Sequence, residues 1–246
     1  MNYVVGDIHG EIGKLEKLIN KIINSSYDVE ITFVGDYLDK GEDSKQTLKF
    51  LNELMKLSKC SFLMGNHEYL WEQLNAKNTE IQDYLLRYGA RMTMRSFNSD
   101  NMLETKEKIF DEYGHFLKNL IPYKKIGKYM IVHSGIPPHL FNTSADKIHL
   151  KEFLFNRYDF IRQECLYESE YRIIFGHTGF YFPYVDRYKI GIDTAACFLE
   201  TQPLSAYSIE EELFIDSNNS IKDLSDCNLM LCPNIVRKHP WRELQN

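Results

Sequence analysis

Pairs of polar residues suited to metal binding follow short apolar stretches near the start of the chain. Asp7 and His9 stand one residue apart, directly after Val4-Val5-Gly6. Alternate side chains of an extended segment point the same way, so this carboxylate and this imidazole can reach one point. An oxygen and a nitrogen ligand together suit a divalent ion such as Mn, Fe or Zn. For this pair alone, a solvated loop with two polar residues is an equal alternative.

The same arrangement recurs twice along the chain. Residues 31–34 form an apolar stretch followed by Gly35 and Asp36, and residues 61–64 form another, followed by Gly65 and Asn66. Helical patterns lie between these stretches. Ligands of open α/β sheets collect at the carboxyl ends of the strands. We therefore expect Asp36 and Asn66 to lie beside the first pair.

Hydrophobic periodicity predicts the elements that position these residues. Apolar side chains recur at helical spacing over residues 12–23 and again after Asp43, a capping residue for the second helix. Later strands are predicted at 129–132, 173–175 and 189–194, with a hairpin of 204–208 and 213–216. His133 and His177 directly follow two of these strands.

One domain is predicted over residues 1–216, with a helical insertion at about 69–122 that serves as a cap. Residues 217–246 lose periodicity, and we expect a tail that packs on the domain or is partly disordered. Arg87, Arg91 and Arg95 recur every four residues within the insertion. A solvated helix face is the favoured interpretation of these arginines, and a basic stripe facing a substrate is the alternative.

The strand-end residues together provide two carboxylates, three imidazoles and one amide, which is too many for one ion and suitable for two. They are Asp7, His9, Asp36, Asn66, His133 and His177. Asp36 is the natural bridge because a carboxylate has lone pairs for both ions. Two ions about 3.5–4 Å apart can share a hydroxide and hold a phosphoryl group for in-line attack.

Neighbouring residues provide the other groups that phosphate-ester hydrolysis needs. His67, next to Asn66, is placed to protonate the leaving group as a general acid, and Asp39 can hold its ring. Lys40 and Arg157 are candidates for binding the outer phosphate oxygens. Arginine can do so through a two-pronged fork, whereas lysine acts as a point charge.

These residues form blocks that resemble a known family. The signature blocks of the phosphoprotein phosphatase (PPP) family resemble Gly6-Asp7-Ile8-His9-Gly10, Gly35-Asp36-Tyr37-Leu38-Asp39-Lys40-Gly41 and Gly65-Asn66-His67-Glu68. Its later blocks resemble His133-Ser134-Gly135, Gly176-His177-Thr178 and Gly191-Ile192-Asp193-Thr194. Leu154-Phe155-Asn156-Arg157 is similar to the arginine block of bacterial and phage serine/threonine phosphatases. The resemblance spans residues 3 to about 215.

The resemblance implies an α/β calcineurin-like metallophosphoesterase fold: a two-sheet β-sandwich flanked by helices, with a helical cap insertion. It also implies two divalent metal ions, with Mn2+ first and Fe or Zn as alternatives. The first ion would take Asp7, His9 and Asp36, and the second Asp36, Asn66, His133 and His177. His67 and Asp39 would form the acid pair, with Arg157 on the phosphate.

Two positions help to place the chain within this superfamily. Lys40 stands where the PPP family usually has arginine, so the charge remains but the fork is lost. A salt-bridged surface lysine is the alternative interpretation of Lys40. Gly176-His177-Thr178-Gly179 lacks the second histidine that nuclease and phosphodiesterase relatives usually have, which favours the phosphatase branch.

Three activities are compatible with these residues. The first is a metal-dependent phosphomonoesterase acting on phosphoserine or phosphothreonine in proteins. The second is a hydrolase of dinucleoside tetraphosphates, because residues 133–138 resemble the corresponding block of such enzymes. The third is a non-catalytic scaffold, disfavoured because all six candidate ligands and His67 are present. The expected partner is thus a phosphoprotein or a phosphorylated small molecule.

Composition excludes some partners and leaves others open. The formal net charge of −6 gives no overall basic field for nucleic acid or anionic lipid, so neither nucleic acid nor membrane is the expected main partner. No apolar run is long enough to span a bilayer, and the N-terminus lacks a leader pattern. We expect a cytoplasmic protein whose five scattered cysteines are reduced. The sequence leaves the oligomeric state open.

Overall fold

The structure, a computed structural model, describes residues 1–140, 143–162, 171–218 and 221–223. Within them eleven strands form two sheets. The strands are β1 (Asn2–Val5), β2 (Glu30–Phe33), β3 (Cys60–Phe62), β4 (Tyr123–Ile126), β5 (Tyr129–Val132), β6 (Arg172–Phe175), β7 (Tyr184–Val185), β8 (Lys189–Gly191), β9 (Ser205–Ser208), β10 (Leu213–Asp216) and β11 (Ile221–Asp223). The α-helices are α1 (Ile12–Ser25), α2 (Ser44–Met55), α3 (Asn66–Gln73), α4 (Thr79–Arg87), α5 (Ala90–Ser96), α6 (Met102–Lys118) and α7 (Tyr158–Arg162).

Each sheet contains a run of three parallel strands. The first sheet has the order β11-β10-β9-β1-β2-β3, in which β1, β2 and β3 are parallel. The second has the order β4-β5-β6-β8-β7, in which β5, β6 and β8 are parallel. Parallel neighbours need long crossovers, and α1 and α2 provide two of them. The carboxyl ends of each parallel run therefore meet at one edge.

The two sheets pack face to face through a buried apolar layer, because alternate strand residues point to opposite faces. Val4, Tyr207 and Phe214 of the first sheet share a cluster with Ile131 and Ile190 of the second. Their alternating neighbours form the outer layers. Tyr3 and Val5 pack with the helices of the first sheet, and Met130 and Val132 pack with the short helices of the second.

The insertion is helical, as predicted, and packs with the outer face of the first sheet. Its helices α3 to α6 contribute Trp71, Leu85 and Phe116 to the same buried cluster as Phe33 of β2. Arg87 ends α4, whereas Arg91 and Arg95 lie on α5, so the predicted stripe is divided between two helices. These three arginines are exposed.

The α/β sandwich with flanking helices confirms the predicted fold class. Three short strands were missed: β4 begins just after the predicted helical insertion, β7 has only two residues, and β11 lies inside the predicted tail. Strand β8 ends at Gly191 rather than 194, where the chain turns into the site. Strand β11 pairs antiparallel with β10 inside the predicted tail. The rest of that tail from residue 224 lies outside the described residues, and the domain boundaries stay predictions.

The structure bears on part of two further predictions, the absence of a membrane span and the reduced cysteines. No helix among the described residues is long and apolar enough to cross a membrane. Cys60 and Cys197 are free thiols. The other three cysteines, Cys165, Cys227 and Cys232, lie outside the described residues.

Candidate metal centre and active site

The six candidate ligands lie beyond the carboxyl ends of five parallel strands. Asp7, Asp36 and Asn66 follow β1, β2 and β3 of the first sheet, and His133 and His177 follow β5 and β6 of the second. Face-to-face packing of the sheets brings both sets of strand ends to one edge. All ten residues predicted for the site lie within hydrogen-bond or ion-pair distance of another member. Their individual roles stay predictions.

His9 and Asp36 form the first half of the centre. His9 Nδ1 lies 2.7 Å from the Leu38 carbonyl oxygen, so we assign the ring proton to Nδ1, leaving a lone pair on Nε2. That Nε2 lies 3.3 Å from Asp36 Oδ2 and 2.6 Å from the Lys40 ammonium. The Lys40 ammonium thus lies against the Nε2 lone pair of His9, to which a metal ion could also bind.

His133, His177 and Asn66 form the second half, with three ligand atoms converging. His133 Nδ1 lies 2.9 Å from the Val34 carbonyl oxygen, which assigns its proton to Nδ1 and its lone pair to Nε2. That Nε2 lies 3.0 Å from Asn66 Oδ1 and 3.4 Å from Asp36 Oδ1. His177 Nδ1 lies 2.9 Å from the same Asn66 oxygen. A lone pair facing two oxygen acceptors is repulsive unless a cation lies between them.

The donor set therefore fits divalent metal ions. The described residues contain two groups of three side chains whose ligand atoms lie within 4.8 Å of one another inside each group. The first group is His9, Asp36 and His67, and the second is Asp36, His133 and His177. Asp36 belongs to both groups, as a bridging ligand would. The second group contains three of the four residues predicted for the second ion, all but Asn66, whereas the first contains His67 in place of Asp7.

Asp7 is buried beside these groups with one oxygen free. Its Oδ2 accepts a hydrogen bond from the His177 backbone N–H at 2.9 Å, whereas Oδ1 has no hydrogen-bond partner among the described residues. Burial and the nearby carboxylates of Asp193 and Asp36 raise the pKa of Asp7 well above its usual value. A buried acceptor oxygen without a donor fits a cation ligand.

The imidazoles of the candidate ligands are neutral at pH 7, as metal binding would require. Burial, followed by the Lys40 charge, lowers the pKa of His9 to about 4. Burial also lowers the pKa of His133, and burial together with Arg157 lowers that of His177. Burial opposes ionisation of Asp36, but the surrounding imidazoles outweigh it and hold its pKa well below the usual value.

Acid should weaken the metal-free protein through His9. Its pKa falls from about 6.5 in an unfolded chain to about 4 when folded, so the unfolded state binds more protons between these values. The contribution of neutral His9 to the free energy of unfolding is complete above pH 6.5 and is lost as the pH falls toward 4. Urea unfolding in a chelator should show the stability difference between wild type and His9→Asn shrinking by about 2 kcal/mol from pH 7 to pH 5. Parallel pH profiles of the two proteins would contradict this assignment.

His67 and Asp39 form a buried pair at the start of the helical insertion. His67 Nδ1 lies 2.7 Å from Asp39 Oδ2, and the Asp39 carboxylate also accepts from Trp71 Nε1 at 3.0 and 3.1 Å and from Thr93 Oγ1 at 2.6 Å. His67 Nε2 points toward Asp36, 3.9 Å from Oδ2. The Asp39 contacts fix the ring so that Nε2 faces the site.

Glu68 organises the loop that presents Asp36. Its carboxylate accepts hydrogen bonds from the backbone N–H groups of Asp36, Tyr37, Leu38 and Gly65 at 2.8–3.1 Å. Burial and the Asp36 charge raise the pKa of Glu68 to about 8, against the lowering effect of these N–H donors. Glu68 therefore joins the loop after β2 to the first turn of α3.

The site backbone is strained at five positions. His9, Asp36, Asp39, Lys40 and His177 adopt left-handed conformations, with φ between 47° and 70°. Such conformations cost of order 1 kcal/mol each or more and persist only where the surroundings enforce them. At Gly65 a side chain is excluded outright, because a Cβ atom would lie 2.2 Å from the Asp36 backbone nitrogen.

The ligand groups open into a pocket with two cations in its wall. Lys40, Arg157, Tyr84, Tyr88 and Phe198 line the pocket, and the remaining lining residues are Asp36, Asn66, His67, His177, Gly179 and Asp193. Arg157 Nη2 donates to the His177 carbonyl oxygen at 2.9 Å and lies 3.2 Å from His177 Nε2.

Several site residues were not predicted as such. Trp71 follows His67 by one helical turn, so spacing on α3 could have revealed it. Asp193 and Glu68 belong to blocks already noted, but no role was derived for either. Thr93 gave no local signal, because it lies 54 residues from Asp39 in the chain.

Comparison with known proteins agrees with this geometry. Residues 3–207 match the calcineurin-like phosphoesterase family, and the chain belongs to it. It is 29% identical over 234 residues to an asymmetrical bis(5'-nucleosyl)-tetraphosphatase, PrpE, from Oceanobacillus iheyensis, covering 86% of this chain and 90% of that relative. A symmetrical bis(5'-nucleosyl)-tetraphosphatase from Coxiella burnetii is 27% identical over 155 residues, covering 61% of this chain and 46% of that relative.

Solved structures support the fold without deciding the substrate. A cold-active protein-tyrosine phosphatase from a Shewanella species superposes with a TM-score of 0.64 at 16% identity, covering 91% of this chain and 80% of that one. At this identity the likeness concerns the fold alone, since one fold hosts many substrates.

Proposed function

We propose that this protein is a metal-dependent hydrolase of dinucleoside tetraphosphates that cleaves them asymmetrically. The supporting observation is the similarity to PrpE along nearly the whole of both chains. The symmetrical relative from Coxiella burnetii is matched over less than half of its own length. This reading replaces the phosphoserine/phosphothreonine phosphatase as the leading interpretation.

Two divalent ions would be held by the converging ligand atoms, with Mn2+ as the first choice. The first ion would be held by Asp7, His9 and Asp36, and the second by Asp36, Asn66, His133 and His177. When bound, such ions polarise phosphoryl oxygens and make water a competent nucleophile near neutral pH.

The chain's own cations position the substrate. Lys40 and Arg157 line the same pocket as Asp36 and Asn66, so a phosphate group placed among them meets positive charge on both residues. Arg157 is held by the His177 carbonyl oxygen through Nη2. Its remaining N–H groups are suited to bind phosphate oxygens in pairs.

Hydrolysis adds water across one P–O–P linkage, so that the water oxygen bonds to phosphorus and the leaving oxygen gains a proton. His67 Nε2 is placed to give that proton, because Asp39 holds the opposite nitrogen of the ring. Asymmetrical cleavage yields a nucleoside monophosphate and a nucleoside triphosphate.

Phosphomonoester hydrolysis is the second candidate, favoured by the resemblance of Gly65-Asn66-His67-Glu68 and Arg157 to phosphatase blocks. A substrate panel with Mn2+ separates the two: diadenosine tetraphosphate, a phosphoserine peptide and p-nitrophenyl phosphate. We expect turnover of diadenosine tetraphosphate, with AMP and ATP as chromatographic products. Two ADP molecules would overturn the asymmetrical assignment, and turnover of the phosphopeptide alone would overturn the substrate class. Lack of turnover on all three would favour the scaffold interpretation.

A further inference from the structure

Five large exposed apolar side chains lie close in sequence to residues of the pocket. Eight large hydrophobic residues are exposed in the described part of the chain: Ile23, Tyr27, Leu57, Phe155, Tyr181, Phe182, Phe198 and Leu199. The last five lie on three segments that lead directly from the site, and four of those five are aromatic. Clustered exposed apolar surface commonly marks a contact with a ligand or partner.

The three segments are close in sequence to residues that already belong to the site. Phe155 precedes Arg157 by two residues. Tyr181 and Phe182 follow Gly179, which lines the pocket. Gln202 holds two of these segments together, because its Nε2 donates to the carbonyl oxygens of Tyr181 and Thr194 at 3.0 and 3.1 Å.

Phe198 is the member of this group that lines the pocket itself. Its side chain is 45% exposed, and its backbone N–H donates to the Ala195 carbonyl oxygen at 3.0 Å, which fixes the loop. The Lys40 ammonium lies 5.2 Å from the centre of its ring. The same ammonium lies 2.6 Å from His9 Nε2, so one cation links the ring to the candidate metal ligands.

Two cations and an exposed aromatic ring in one pocket suit a ligand that has an anionic part and an aromatic part. An anionic group would lie on Lys40 and Arg157, and a flat aromatic group bonded to it would lie against the exposed face of Phe198. A nucleotide has both parts, and stacking of a base on an aromatic side chain tolerates any base. We propose that Phe198 is the stacking residue for a nucleobase of the substrate. The proposal rests on the proposed function, since it names where the nucleoside part of that substrate binds.

Binding of two ligands that differ only in the nucleoside tests this proposal. Calorimetry on the full-length, Mn2+-loaded protein would compare ATP with inorganic tripolyphosphate. Phe198→Ala should weaken ATP binding about tenfold, as loss of one stacked base does, and leave tripolyphosphate binding unchanged. Phe198→Trp should bind ATP as wild type does. Tyr27→Ala removes an exposed aromatic residue before β2, outside the pocket, and should change neither affinity.

Distinct outcomes would overturn the stacking site and the proposed reaction. Unchanged ATP affinity in Phe198→Ala, or equal weakening of both ligands, would show that Phe198 does not bind the base. Wild-type protein that binds ATP no more tightly than tripolyphosphate would also exclude a base site, as expected for a phosphopeptide enzyme. If the ATP effect holds but diadenosine tetraphosphate is not cleaved, the base site stands and the proposed reaction is wrong.

Discussion

Asp36→Asn is expected to lower turnover by about a thousandfold and to reduce the bound metal. The side chain lies between both candidate ligand groups, with Oδ2 3.3 Å from His9 Nε2 and Oδ1 3.4 Å from His133 Nε2. Asparagine removes the negative charge and replaces one acceptor oxygen with a donor N–H2. Metal ions contribute several kcal/mol to such reactions, which corresponds to this loss in rate.

Metal analysis of the purified variant and its turnover of diadenosine tetraphosphate would check this expectation together. Asp111→Asn provides a matched control, because Asp111 is exposed on α6 away from the ligand groups. That control should retain its metal and its rate. An Asp36→Asn protein with wild-type metal content and rate would show that this carboxylate bridges nothing.

His67→Asn is expected to lower turnover about a thousandfold on a substrate with a poor leaving group, while metal content stays unchanged. A general acid typically contributes a factor of about a hundred to ten thousand. In phosphomonoester hydrolysis, the second candidate activity, an alkyl phosphate would lose an alkoxide and so depend most on a proton from His67. p-Nitrophenolate is a much weaker base, so hydrolysis of its phosphate ester should fall far less.

The leaving-group comparison also separates two roles for His67. The geometry places its Nε2 in one group with His9 and Asp36, so it could instead be a metal ligand. Loss of metal, with equal rate losses on both leaving groups, would identify a ligand rather than an acid. His115→Asn is the matched control, because His115 is exposed on α6 and lies outside the site.

The strand-end residues were predictable because their signal is local. An apolar run, a glycine and a polar ligand stand next to one another in sequence at Asp36 and Asn66, and parallel pairing then brings such ends together. Val4 and Val5 likewise predict the end of a buried strand, because both are apolar and β-branched. They do not predict which face of β1 packs between the sheets, since Tyr3, Val4 and Val5 are all apolar and all buried. Predicting these strand ends requires only the hydrophobic periodicity of the sequence and the direction of the strands.

Other features depend on contacts between distant segments and left no local pattern. Thr93 reaches Asp39 from the middle of α5, and Phe198 reaches Lys40 from the loop after β8. The short strands β4 and β7 are specified by their partners more than by their own residues. Left-handed backbone at Lys40 is equally invisible, because lysine has no intrinsic preference for it.

At Lys40 the backbone conformation lowers the stability of the fold, whereas the side chain provides a cation to the pocket. With φ at 65°, a lysine there costs folding free energy that a glycine would not. Selection for heat resistance alone would therefore favour glycine at position 40 and discard the ammonium. Under the proposed function, glycine at position 40 would relax the loop but remove a phosphate-binding cation, so stability and catalysis place opposite demands on this residue.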